Sequence, residues 1–169
     1  SLSCKSTSSP EVTAQQIKEL EEIVDNKSFE FSAKWARPLA NSSLNSIANA
    51  GLFPPGSNNN AIDLTGNTNY FRMVGDSVKA YFPYFGEIQL GGAGFLGSNN
   101  AIQFEGVPEN IKMEKSSKGY QITFNIQNKT ETYQVDAKLF PNKKGNININ
   151  SSHRLPISYS GNISAETSE

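Results

Sequence analysis

Tyr120-Gln121-Ile122-Thr123-Phe124-Asn125-Ile126-Gln127 alternates apolar and polar residues without a break. A period of two marks a strand with one buried face and one wet face. Asn128-Lys129 follows as a candidate two-residue turn, and Tyr133, Val135, Ala137 and Leu139 carry the alternation back. A second turn, Asn142-Lys143-Lys144-Gly145, leads to Ile147 and Ile149 set among asparagines, and then to Ile157, Tyr159 and Ile163. Strands joined by turns this tight pair antiparallel, with one side of the sheet packed and the other in water.

The pattern extends toward the N-terminus. Phe29, Phe31, Ala33 and Trp35 alternate with Glu30, Ser32 and Lys34, and predict another half-buried strand. Ile62-Asp63-Leu64, Tyr70 to Val74, Ser77 to Phe82, Glu87 to Leu90, Ala101 to Val107 and Asn110 to Glu114 read as further strands, the second and third joined at Gly75-Asp76. Residues 38–60 are loop-like, apart from a short turn of helix around Leu44 to Ala48. About nine or ten short strands cannot stay flat and open. The expected fold is therefore mainly β, an antiparallel sheet curled into a small barrel or folded into a sandwich, with one N-terminal helix over an end or edge. That helix is expected over residues 10–27, with Ser9 at the N-cap, Pro10 at the first position, and Ala14, Ile17, Leu20, Ile23 and Val24 on one face. Residues 1–9 read as a flexible tether, 28–164 as the barrel and 165–169 as a disordered tail.

The composition narrows the functional classes. The 169 residues hold 15 Lys+Arg against 16 Asp+Glu, a net charge of −1. No run of Lys and Arg supplies a phosphate-neutralising patch, so nucleic acid is not an expected partner. No stretch approaches the roughly 18 apolar residues of a membrane-spanning helix. One Cys and one His leave thiol-pair, zinc and histidine-triad chemistry without their usual residue sets. His153 reads as an exposed turn residue, and no cofactor is expected.

Gly92-Ala93-Gly94-Phe95-Leu96-Gly97 matches the dinucleotide fingerprint by letter. The chemistry needs a helix opening at the third glycine, whereas Ser98-Asn99-Asn100 and strand-like Ile102-Gln103-Phe104 follow, so the glycines read as a bulge or barrel corner. Gly56-Ser57-Asn58-Asn59-Asn60-Ala61-Ile62 and Gly97-Ser98-Asn99-Asn100-Ala101-Ile102 echo one another as Gly/Asn turns that feed strands. Asn58, Asn60 and Asp63 carry oxygens but lack the order of a dedicated calcium loop. Asp63, Asp76, Glu87, Glu105, Glu109 and Glu114 could form an acid/base pair only by converging in space. Solvated charges on polar strand faces are the simpler reading. No G-x-S-x-G elbow is present, and the chain is read as a non-enzyme.

Tyr81-Phe82-Pro83-Tyr84-Phe85-Gly86 is too bulky for simple alternation. Its rings either close one end of the core or line a pocket mouth, so Tyr81, Phe82, Tyr84 and Phe85 are candidates for a ligand or partner rim. Tyr84, Arg154 and Tyr159 combine bulk with a polar tip beside inward positions, and each must find a partner. The expected role of Arg154 and Tyr159 is as buried polar anchors.

The chain begins at Ser1 and reads as a mature or trimmed form. Its lone cysteine, in Ser1-Leu2-Ser3-Cys4, precedes the polar run Lys5-Ser6-Thr7-Ser8-Ser9. This resembles the end of a bacterial lipoprotein signal, although Ser1 stands where such signals usually carry Leu. Cys4 is the candidate lipidation site, anchoring the protein to a membrane without spanning it.

Tyr70-Phe71, Asp76-Ser77-Val78, Phe82-Pro83-Tyr84-Phe85-Gly86, Ile102-Gln103-Phe104 and the closing Ser152-His153-Arg154-Leu155-Pro156-Ile157-Ser158-Tyr159-Ser160-Gly161-Asn162-Ile163 together resemble domain-of-unknown-function family 4251 of Bacteroidetes secreted proteins. The family commonly has Leu where this chain has Phe82. The resemblance spans Phe29 to Ile163 and implies a lipocalin-like small barrel and a lipoprotein or secretory origin. It brings no activity and no catalytic residues. Asp76-Ser77-Val78 is similar to a Bacteroidetes O-glycosylation signal, and a strand start after Gly75 explains it equally well. The expectation is a lipoprotein on the periplasmic or outer surface of a Gram-negative envelope, acting as a binding module for a small apolar ligand. The alternative is an envelope assembly or protein-interaction domain with a filled core, and a carboxylate-based hydrolase ranks behind both.

Overall fold

A computed structural model describes residues 12–39, 45, 48–58, 60–85 and 101–165. Helix α1 (Ala14–Asp25) precedes strands β1 (Ser28–Pro38), β2 (Ile62–Asp63), β3 (Tyr70–Val74), β4 (Ser77–Phe82), β5 (Ile102–Gly106), β6 (Glu109–Lys115), β7 (Tyr120–Asn128), β8 (Glu131–Leu139), β9 (Lys144–Ser151) and β10 (Ile157–Ala165). Nine strands follow one another across an antiparallel sheet in the order β5-β4-β3-β1-β10-β9-β8-β7-β6, with β2 paired to β1. The sheet curls into a half-barrel around one apolar core.

Its two outermost strands, β5 and β6, are consecutive in the chain and separated only by Val107 and Pro108. Because all neighbours are antiparallel, these two run in the same direction. They form one bent stave that borders both halves of the sheet. The Asn128 side-chain amide donates to the Gln103 carbonyl across this seam, at 2.7 Å. That use explains why the β7–β8 turn falls one residue later than the sequence suggests. Asn128 pairs with Glu131, and Lys129 takes the left-handed conformation at φ 58°.

Helix α1 begins at Ala14 rather than Pro10. The Thr13 hydroxyl accepts from the Gln16 amide, and the Gln16 side chain accepts from the Thr13 amide. This capping box satisfies two otherwise unpaired donors and fixes the helix start. Ser9 and Pro10 lie outside the described residues. Leu20 and Val24 are buried, each worth about 1.5–3 kcal/mol, but Val12 and Ile17 remain 47% and 41% exposed. The expected apolar face is therefore covered only along its C-terminal half. Asn45, Ala48 and Asn49 are helical, in the stretch where a turn of helix is expected.

One predicted inward residue is turned out. The register of β1 against β10 shifts between Ala33 and Trp35, so Lys34 and Trp35 both face solvent and burial resumes at Ala36. Such a bulge strands backbone groups of the bulged strand. Asn69, itself buried, accepts from the Ala33 amide at 2.7 Å and donates to the Ala33 carbonyl at 3.1 Å. Opposite Ala33 stands Gly161, where any Cβ would overlap the Ser32 carbonyl oxygen. The bulge thus depends on one amide side chain and one missing methyl group. Asn69→Leu leaves both Ala33 groups unpaired, and urea denaturation is expected to show a loss of about 1–3 kcal/mol with an unchanged slope.

Candidate functional site

The alternation Tyr133, Val135, Ala137, Leu139 continues backward to Glu131, which β8 turns toward the core. A carboxylate there must be paired. The Arg154 Nε lies 2.7 Å from Glu131 Oε1 and 3.1 Å from Oε2, with about a tenth of either side chain exposed. The Tyr133 hydroxyl donates to Oε2 at 3.0 Å. The Arg154 guanidinium also sits 5.0 Å above the centre of the Tyr84 ring and donates to the Ala101 carbonyl at 3.4 Å. It therefore joins β8 to the β9–β10 connection and to two points on either side of residues 86–100.

The neighbouring phenols are equally engaged. Tyr84 donates to the Leu155 carbonyl at 3.0 Å and Tyr159 to the Pro83 carbonyl at 2.6 Å. Phe82 stacks on Tyr159 with ring centres 4.5 Å apart. Burial pushes the phenols of Tyr133 and Tyr159 up, against the opposing charge of Arg154. The cluster is a clamp: the Glu131 carboxylate is held by a guanidinium and a phenol, and the phenols of Tyr133 and Tyr159 keep their protons.

The structure brings Tyr84, Arg154 and Tyr159 to this one end of the half-barrel. It divides the rim candidates. Phe82 and Tyr84 are buried, and Phe85 packs edge-on against Phe53. Tyr81 faces outward and shares a shallow cleft of about 250 Å³ with Tyr70, Lys79, Gln103, Glu105 and Asn128. Sequence reasoning placed Tyr133 inward without giving it a part in this cluster, and missed Glu131. Carrying the β8 alternation two residues further would have placed a charge on the apolar face.

His153 is half-buried rather than exposed. Its Nδ1 lies 2.6 Å from the Ser152 hydroxyl, which also accepts from the Thr132 amide, so the turn is knitted to β8. Asn58 accepts from the amides of Asn60 and Ala61. Asp63 accepts from the Thr65 amide, and its hydrogen bonds to Thr65 lower its pKa. These oxygens serve the backbone of the loop, and among the described residues no group of three His, Cys, Asp or Glu could hold a metal ion. Asp76 pairs with Lys27 and Glu105 with Lys79, while Glu109 and Glu114 lie exposed on β6. Cys4, Glu87 and the glycines at 92, 94 and 97 lie outside the described residues, as does the greater part of the second Gly/Asn echo.

A larger cleft lies at the opposite, helix end. It holds about 630 Å³ between α1 and the β6–β7 and β8–β9 turns, with Val12, Ile17, Leu20, Tyr120, Phe140 and Pro141 in its walls.

The model of the family described as "Domain of unknown function (DUF4251)" matches residues 11–163. The chain belongs to the DUF4251 family. A crystal structure of a DUF4251 family protein from Bacteroides eggerthii DSM 20697 superposes with a TM-score of 0.57 at 16% identity, covering 90% of this chain and 89% of that one. Identity at that level shows a common fold. No protein of curated function matches the sequence. For a DUF4251 chain, function must therefore be argued from surfaces and side chains.

Two outcomes follow from the clamp. Arg154→Ala strands Glu131 and is expected to cost about 3–5 kcal/mol in urea denaturation, most of which the double variant Glu131→Leu/Arg154→Met recovers. Raised phenol pKa values mean that stability is whole below about pH 10 and is lost as pH climbs toward the folded-state values. In an alkaline titration followed by phenolate absorbance, Tyr133 and Tyr159 are expected to ionise only together with unfolding, and Tyr133→Phe and Tyr159→Phe to remove that step.

Proposed function

We propose that this DUF4251 chain is a non-enzymatic interaction module of the bacterial cell envelope, held there by lipid on Cys4 and working through its outer surface. The observation that carries the reading is the contact of aromatic rings across the interior. Phe71 of β3 stacks on Phe124 of β7 at 5.9 Å, and Phe104 of β5 meets Phe124 at 6.1 Å and Tyr133 of β8 at 5.6 Å. Rings that meet from opposite halves speak against a ligand carried inside, because a container keeps its facing walls apart. The far end supports the same reading, since its polar groups are spent on one another and on backbone carbonyls.

The envelope location rests on Leu2-Ser3-Cys4 and the polar run after it. A single acyl chain binds membranes only marginally, so stable anchoring at one cysteine takes more than one chain.

Mass spectrometry of the protein purified from its native membrane tests the proposal. The expected result is a multiply acylated N-terminal peptide at Cys4, with no small apolar molecule in stoichiometric amount after the lipid is removed. An unmodified Cys4, or a tightly held apolar ligand that survives delipidation, would overturn it.

A further inference from the structure

We propose that the cleft at the helix end binds a single-chain anionic amphiphile, a free fatty acid, with its chain along α1 and its carboxylate at Lys118. The inference deepens the reading above by naming one outer site, and it rests on that reading only in taking the interior as closed.

The first observation is an apolar surface that the fold leaves open. Val12, just ahead of the N-cap, continues the apolar face of α1 formed by Ile17, Leu20 and Val24, but of these four only Leu20 and Val24 are buried. Facing Val12 and Ile17 across the cleft are Tyr120, Phe140 and Pro141, and Tyr120 packs on the main core. The cleft is thus a continuation of the core's edge into solvent. Its volume of about 630 Å³ lies within the usual range for sites that hold small molecules.

The second observation is what flanks the gap. Lys115, at the end of β6, pairs with Glu21 on one flank of α1, and Lys143, in the β8–β9 turn, pairs with Glu19 on another. Glu19 also accepts from Gln15 one helical turn away. These exposed pairs contribute little to stability, but with Leu20 and Val24 buried beneath the helix they accompany a rotation of α1 that leaves Ile17 uncovered.

The third observation is charge. The β6–β7 turn at the mouth carries Ser116, Ser117, Lys118 and Gly119. Ser116 is used within the turn, donating to the Gly119 carbonyl and accepting from the Lys118 amide. Lys115 is neutralised by Glu21, whereas none of the ion pairs among the described residues uses Lys118. An apolar trough with, at its mouth, an ammonium group that no carboxylate among the described residues pairs matches an alkyl chain ending in a carboxylate. A neutral lipid would leave Lys118 without a counter-charge, and a cationic amphiphile would be repelled.

Isothermal titration of the folded chain with laurate, below its micelle concentration, tests this. Expected is saturable one-to-one binding, weakened at least about tenfold by Ile17→Glu, which sets a carboxylate where the alkyl chain would lie, and about threefold by Lys118→Glu. Both residues are exposed, so urea denaturation is expected to show folding unchanged in each. Dodecyltrimethylammonium is expected to bind the native chain more weakly than laurate, and Lys118→Glu to reverse that order, which a merely structural lysine would not do. The proposal is overturned if laurate shows no saturable binding, or if binding is indifferent to both variants. It is also overturned if Ile17→Glu affects only adsorption to anionic phospholipid vesicles, which would make the cleft a membrane contact. Laurate binding that survives Ile17→Glu but is abolished by Phe104→Trp would locate the ligand inside the half-barrel, and the filled-interior reading would fail instead.

Discussion

The structure depends on the width across which its curled sheet must pack. An antiparallel sheet with one apolar face has to bring that face against something. Here the sheet supplies its own partner. Phe71 and Phe124 stack across the interior, Phe104 reaches both Phe124 and Tyr133, and Phe82 lies between Phe31 and Tyr159. Aromatic pairs at these separations add roughly 0.5–1.5 kcal/mol each beyond the area they bury. They also set the curvature, because the two halves of the sheet can close no further than the rings allow. The bent stave of β5 and β6, the Asn128 bridge to Gln103 and the bulge at Lys34 all accommodate that closure.

The two ends of the half-barrel are treated differently. At one end a buried ion pair and three phenols are hydrogen-bonded to one another and to the backbone carbonyls of Pro83, Leu155 and Ala101. Such a set contributes order more than net stability, since desolvation of Glu131 and Arg154 offsets much of their attraction. At the other end a twelve-residue helix, flanked by two exposed ion pairs, covers the core only in part. Polar groups paired at the first end and an uncovered apolar strip at the second make the two ends chemically unlike.

Much of the fold was legible because the signal is local. The alternations in β1, β3, β4, β7 and β8 can be read residue by residue, and Gly75-Asp76 marks its turn plainly. What could not be read depends on distant partners. Trp35 is apolar and in phase, yet it faces out because Asn69 and Gly161, both more than thirty residues further along the chain, permit a bulge at Lys34. The start of α1 follows from the reach of one glutamine back to Thr13, which competes with the more familiar Ser-Pro signal at Ser9. The clamp was half legible: the polar tips of Tyr84, Arg154 and Tyr159 demanded partners, but Glu131 was hidden by stopping the β8 pattern at Tyr133. The helix-end cleft left no sequence trace, since Ile17 looks like any core residue until the neighbouring turns are seen to stand away from it.

The central claim is that rings from opposite halves of the sheet touch. A double-mutant cycle on Phe71→Leu and Phe124→Leu, read by urea denaturation, tests it most directly. Contact across a filled interior predicts a coupling of about 0.5–1.5 kcal/mol between the two positions. Additivity within about 0.3 kcal/mol would mean that the rings do not meet, and the interior would have to be regarded as a cavity.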